Sequence, residues 1–208
     1  MIKKRSVVKD SYWNKLNNFV NENFSLGFKH LKEIKNYVYF SFAVFLIFGV
    51  IGFIFPIFFV DQVIALIQEL IKQTEGLGVI GLARFIIANN VQSAFFGMIF
   101  GIILGIFPLI VIVVNGYILG FVANQVTVSE GGLVLWRLLP HGIFEIPAIM
   151  IAVGVGLRLG MFLFISKKKT WVEFRKWVLN ALRVFILIVI PLLVIAGIIE
   201  GLLITFLG

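Results

Sequence analysis

The sequence predicts an all-α integral membrane protein with about five transmembrane helices and further amphipathic helices at the interface. Of 208 residues, 61% are hydrophobic and 13% charged, against about 25% charged in soluble domains. Mean hydropathy is +1.08. Several apolar runs reach the roughly 20 residues that carry a helix across a bilayer. The length suits one bundle: a basic amphipathic cytoplasmic segment over 1–37 and a single transmembrane domain over 38–208.

The elements follow in chain order. MIKKRSVVKDSYW is basic, but no apolar core follows until about Tyr37, so this is not a cleavable signal peptide. The first span, about 38–60, serves as its own insertion signal and carries Pro56 near its end. The second and third spans, about 85–107 and 108–126, have only Phe107-Pro108 between them. Proline removes a backbone donor and breaks a helix, so a tight hairpin is expected at Pro108, with a re-entrant pair as the alternative. The fourth span covers about 137–160 and the fifth about 183–207.

Basic residues set orientation. Lys3, Lys4, Arg5, Lys9, Lys15, Lys29, Lys32 and Lys35 precede the first span. Arg158, Lys167, Lys168, Lys169, Arg175, Lys176 and Arg183 surround the fourth-to-fifth connection. Five spans place both groups on one face, with a cytoplasmic N-terminus and an outer C-terminus. The location expected is the cell membrane, crossed several times.

Three connections have the pattern of interfacial helices. Trp13, Leu16, Phe19, Val20 and Phe24 recur at helical spacing over 12–35. Val63, Ile64, Ile67, Leu70 and Ile71 form a stripe on the outer side. In KKKTWVEFRKWVLNALR, Trp171, Phe174 and Trp177 line a face opposite basic residues. Such helices bind anionic headgroups by buried apolar area and charge. Lys167, Lys168, Lys169, Trp171 and Trp177 are therefore expected to touch lipid. The net charge of +8 is accounted for by topology and anionic lipid, and no nucleic acid partner is expected.

Small residues four apart let helix backbones approach in lipid. Gly97, Gly101 and Gly105 share one face of the second span; Gly116 and Gly120 lie on the third, and Gly156 and Gly160 on the fourth. Gly197 and Gly201 repeat the spacing on the fifth. Packing within the chain is the first reading; subunit contacts or a backbone-lined cavity are the others.

Polar residues occur at membrane depth. At 1.5 Å per residue, His141 lies roughly 6 Å and Glu145 roughly 12 Å beyond an outer start near Arg137. Spaced i and i+4, they share a helix face. Asn89, Asn90, Asn115 and Glu200 come from the other spans. Charged groups near a helix centre cost on the order of 2.5–3.5 kcal/mol on insertion scales and face the bundle interior or a wet cavity. His141, Glu145, Glu200, Asn89, Asn90 and Asn115 are thus expected to converge on a buried polar cluster. It could lock the helix between Pro140 and Pro147, bind a ligand or proton, or form a metal or catalytic site.

Asn115-Gly116, Gly120, LPHGIFEIPAI at 139–149 and the following GVGLRLG resemble the stage II sporulation protein M family, best over about 85–165. The matching positions are Asn115, Gly116, Pro140, His141, Gly142 and Glu145. The resemblance implies a polytopic helical protein. Its bacterial sporulation member is an anchor and scaffold in an engulfment complex with two peptidoglycan-degrading partners.

Three functions compete. A non-enzymatic scaffold, likewise homo-oligomeric, would organise a complex for envelope or membrane remodelling. A homo-oligomeric transporter or channel would use the His/Glu cluster, since polar groups in broken helices build transport sites. An intramembrane enzyme is the weakest reading. His141 and Glu145 could both ligate a metal, but the chain has two histidines, no cysteine, and no HExxH or GxSxG. No metal, cofactor or catalytic residue is expected.

Overall fold

The computed structural model describes residues 2–103, 105–133, 135, 139–166 and 170–207, without the side chains of 2–12, 139–141, 163 and 205–207. The described residues are helical, with no strand. In order they form α1 (Ile2–Glu33), α2 (Lys35–Ile54), α3 (Val60–Thr74), α4 (Val79–Ile99) and a 3-10 turn (Phe100–Ile102). There follow α5 (Ile106–Glu130), α6 (Leu139–Gly160), α7 (Phe162–Ile165), α8 (Trp171–Val184), a π turn (Phe185–Val189) and α9 (Ile190–Leu207). Among the described residues, five stretches are long and apolar enough to cross a membrane: 35–54, 79–102, 106–130, 142–160 and 171–204.

Two junctions differ from the sequence expectation. The α4–α5 turn falls at Gly101–Gly105 rather than at Pro108. Gly105 takes φ +71°, a left-handed conformation that glycine adopts without steric cost, and its N–H donates to the Gly101 carbonyl at 2.8 Å. Pro108 sits in the first turn of α5, where a missing N–H leaves no intrahelical bond unmade. The second difference is at the fifth span, whose helix extends back past Arg183 to Trp171. α8, the π turn and α9 form one helix whose membrane-competent stretch runs 34 residues. Pro191 cannot donate, and its ring crowds the carbonyl four residues back. The chain widens just before it, with the Ile190 N–H donating to the Phe185 carbonyl, a π-type bond.

α6 stands at the centre. One face, with Ala148, Ala152, Val155 and Leu159, packs with Ala94 and Met98 of α4 and with Val184, Val189 and Leu193 of the last helix. The opposite face, with Met150, Val153 and Leu157, packs with Phe45 of α2 and Ile112 of α5.

Backbone contacts at glycine draw these layers together. A Cβ at Gly120 would strike the Gly49 carbonyl oxygen, one at Gly52 the Tyr117 carbonyl oxygen, and one at Gly116 would lie 2.6 Å from the Phe45 oxygen. On the other side of the bundle, Gly101 abuts Gly156 and Gly160 abuts Gly105. A Cβ at Gly97, by contrast, would meet only Val111 methyls at 3.9 Å, and Gly197 and Gly201 face Ile87 and Ala83 of α4.

At one end of the bundle, α1 rests on α8. The Arg183 Nε donates to Asn23 Oδ1 at 2.8 Å and its Nη1 to Asn180 Oδ1 at 2.6 Å. Ile34 forms a one-residue bend between α1 and α2, its N–H donating to the His30 carbonyl at 3.0 Å. At the other end of the bundle, Tyr117 pins the α2–α3 turn. Its hydroxyl accepts from the Phe58 N–H at 2.9 Å and lies 3.0 Å from the Phe55 and 2.9 Å from the Phe58 carbonyl oxygen. Asn124 Nδ2 donates to the Phe53 carbonyl at 2.9 Å. This clamp holds Phe59 at φ 55°, a rare conformation for a bulky residue.

Candidate functional site

Helical phase, at about 100° per residue, locates the polar side chains of the spans. On α6, Glu145 shares a face with Gly156, eleven residues on, and with Gly160. That face meets the α4–α5 turn, because a Cβ added at Gly156 would lie 3.0 Å from Pro108 Cγ and one at Gly160 would run into the backbone of Gly101 and Gly105. On α5, Asn115 lies one turn beyond Val111 and two beyond Pro108, both on the side of α4 and α6. On α4, Asn90 lies two turns before Gly97 on the same face. Asn90, Asn115 and Glu145 are thus on helix faces that meet at the glycine turn.

They do not close into one interior cluster. Asn115 is exposed, although Val111 beside it approaches Gly97, so α4 and α5 part beyond Val111. The Asn115 Nδ2 donates to the carbonyl of Val111 on its own helix at 2.8 Å, which satisfies one amide hydrogen locally. Asn89 is also exposed and belongs with Gln92 and Ser93 to an exposed polar strip along α4. Glu145 and Glu200 are half-buried, and α9, which carries Glu200, packs on α4 and α6. The buried cluster expected from the sequence is therefore corrected for Asn89 and Asn115. Helical spacing places them on the spans but does not carry the divergence of α4 from α5. The side chain of His141, and residues Lys167, Lys168 and Lys169, lie outside the described set.

The opposite, basic end of the bundle gathers aromatic groups around Arg158, which the sequence reading assigned only to topology. Arg158, two residues before the end of α6, places its guanidinium carbon 4.0 Å from the Trp177 ring centroid and 6.0 Å from that of Tyr37. Its Nε is buried with no hydrogen-bond partner among the described residues. The aromatic faces attract the cation, but no described carboxylate pairs with it. His30 at the end of α1 is 6% exposed, with Nδ1 3.4 Å from Glu33 Oε2. Burial, reinforced by Arg158, holds the His30 pKa below its ordinary value, against the opposing pull of Glu33. Trp171, expected at headgroups, is 76% exposed, whereas Trp177 is half-buried under Arg158.

Beside this group lies an apolar cavity of about 380 Å³, lined by Tyr37, Phe40, Gly105, Leu109, Leu157 and Met161 among others. Among the described residues, no three His, Cys, Asp or Glu side chains are grouped to hold a metal. The sequence signal for the basic end was present but weak: an arginine inside GLRLG with interfacial aromatics on two other segments.

A glycine-tightened bundle of five membrane-competent helices, with polar groups on its spans and a cationic aromatic end, defines a multi-pass membrane protein. The profile of the family described as stage II sporulation protein M matches residues 41–203, and the chain belongs to that family. It is 39% identical over 103 residues to Uncharacterized protein MJ0706 of Methanocaldococcus jannaschii, a match covering 48% of this chain and 46% of that protein. The chain thus spans about half the length of the curated relative it matches. No solved structure matches it.

Proposed function

We propose that the protein is a non-enzymatic scaffold of the cell membrane that gathers partners for envelope or membrane remodelling. The observation that carries this reading is the exposed strip of Asn89, Gln92 and Ser93 on the membrane-competent helix α4. Amides facing hydrocarbon leave hydrogen-bonding capacity unused, and in membranes such side chains bond across to neighbouring helices. Close backbone contacts hold the rest of the bundle together, so this strip is free to meet another helix, whether a partner's or a second copy's. Family membership supports the reading, as does the run of basic residues that orients the N-terminus to the cytoplasm and the C-terminus outward.

The experiment is photo-crosslinking in intact membranes from a benzoyl-phenylalanine at position 92, with position 103, an exposed apolar site in the turn that follows the same stretch, as control. A discrete protein adduct from 92, absent from 103 and lost with Asn89→Leu, is the expected result. Adducts to lipid alone from both positions would sink the proposal.

A transport reading draws on one feature, the half-buried Glu145 on the α6 face beside the parting of α4 and α5. Proton- or ion-driven flux in liposomes that is abolished by Glu145→Gln would favour it over the scaffold.

A further inference from the structure

We infer that the basic end of the bundle is a binding site for one anionic phospholipid, with Arg158 holding the phosphate and the neighbouring cavity holding part of an acyl chain. A guanidinium is a fork of donors that matches phosphate geometry, and it is less strongly hydrated than an ammonium. Here it is held in place by Trp177 at 4.0 Å and Tyr37 at 6.0 Å, with Nε already removed from solvent. Arg158 forms no hydrogen bond or ion pair with another described residue. Leaving a partly buried charge without an anion is costly, and an external anion would relieve that cost.

The nearest described titratable groups do not supply the anion. His30 faces Arg158 from α1 and is held toward its neutral form by burial. Glu33 is spent on His30 and its side chain is 52% exposed. Tyr37, from α2, offers a ring and a hydroxyl. Trp177, from α8, offers a ring.

The second part is the cavity. Tyr37 both lies over Arg158 and lines the 380 Å³ space, and Leu157, the residue before Arg158, lines it too. Its volume falls within the range of small-molecule sites, but Phe40, Leu109, Leu157 and Met161 make it a place for hydrocarbon. A phosphate beside an arginine and a chain beside leucine and phenylalanine describe a lipid, not a free anion. The position agrees, because α6 ends two residues later and Tyr and Trp favour the headgroup level. Basic pockets between spans recognise anionic headgroups in this way.

The test is native mass spectrometry of the full chain, delipidated in mild detergent and offered phosphatidylglycerol or phosphatidylcholine with identical acyl chains. One phosphatidylglycerol should be retained at least tenfold over phosphatidylcholine, and Arg158→Gln should reduce it to the phosphatidylcholine level. Equal retention of both lipids by the wild type, or undiminished preference in a folded Arg158→Gln, would overturn the site. Displacement of the lipid by millimolar glycerol phosphate would overturn its acyl part. A phosphatidylglycerol carrying a diazirine in its acyl chain tests the wild type without any variant. Adducts are expected on Phe40, Leu109, Leu157 or Met161, and adducts found only elsewhere refute the proposal.

Discussion

Gly97 and Gly101 belong to one sequence pattern, GMIFGIILG, yet the structure sets them apart. A Cβ at Gly101 would lie 2.5 Å from both the carbonyl carbon and the Cα of Gly156, and nearer still to its oxygen. Ordinary contact begins at 3.4 Å, so the 3-10 turn after α4 and α6 would have to separate by at least about 0.9 Å. Neither side can yield, because both atoms are backbone. Overpacking of this kind costs about 1–3 kcal/mol and occasionally more, and the upper end is expected here because the same interface holds Gly105 against Gly160. At Gly97 the added methyl meets only side-chain methyls at 3.9 Å. Replacing glycine in a helix by alanine then gains up to about 1 kcal/mol. Gly101→Ala and Gly97→Ala should therefore differ by about 3–4 kcal/mol. At about 2–4 °C per kcal/mol for a chain of this size, the Tm values should differ by roughly 6–16 °C. Intrinsic tryptophan fluorescence during thermal unfolding in detergent measures this. Equal destabilisation by both variants, or a neutral Gly101→Ala, would refute the reasoning.

Two further outcomes follow from the same structure. Tyr117→Phe removes the one acceptor of the Phe58 N–H and one donor to the α2–α3 turn, about 1–3 kcal/mol in all, and hydrogen exchange should accelerate at Phe58 while α6 stays protected. For His30, a pKa lowered in the folded state means that the unfolded chain binds the proton first. Stability is then full above the unfolded value near 6.5 and falls as pH drops below it, until the folded pKa is passed. Melting temperatures measured from pH 8 to 5 should decline less in His30→Asn than in the wild type; identical slopes would remove His30 from the account.

Much of this architecture was legible because a bilayer imposes its own ruler. Five apolar runs of span length stand out whatever their packing, and the basic flanks mark one end. What stayed hidden depends on how helices meet. Pro108 reads as a break, but in a first turn it breaks nothing, and the reversal falls to Gly105 three residues earlier. Gly49 and Gly52 lie three apart in a run of Phe, Val and Ile and carry no four-residue signature, yet they face Gly116, Gly120 and Tyr117. Asn115 was expected inside the bundle, and its exposure depends on how far α4 follows α5, which spacing along one helix does not carry. Arg158 was counted as one positive charge among many, since only the fold brings Trp177 and Tyr37 to it from two other helices.

The π turn at Phe185–Val189 also solves a problem of angular bookkeeping. Counted at 100° per residue, the buried positions up to its first residue (Ala181, Val184 and Phe185) and from its last residue on (Val189, Leu193 and Ala196) point roughly 100° apart. A straight α-helix could bury only one set. A π turn carries one residue more than the α-helix it interrupts, and so rotates everything beyond it back by about one step. Both sets then fall on one line, and Ala181, Val184, Phe185, Val189 and Leu193 enter a single core with α6. The rod that carries α1 at one end and the last span at the other is thereby keyed, so that one orientation of α8 on its neighbours fixes one orientation of α9.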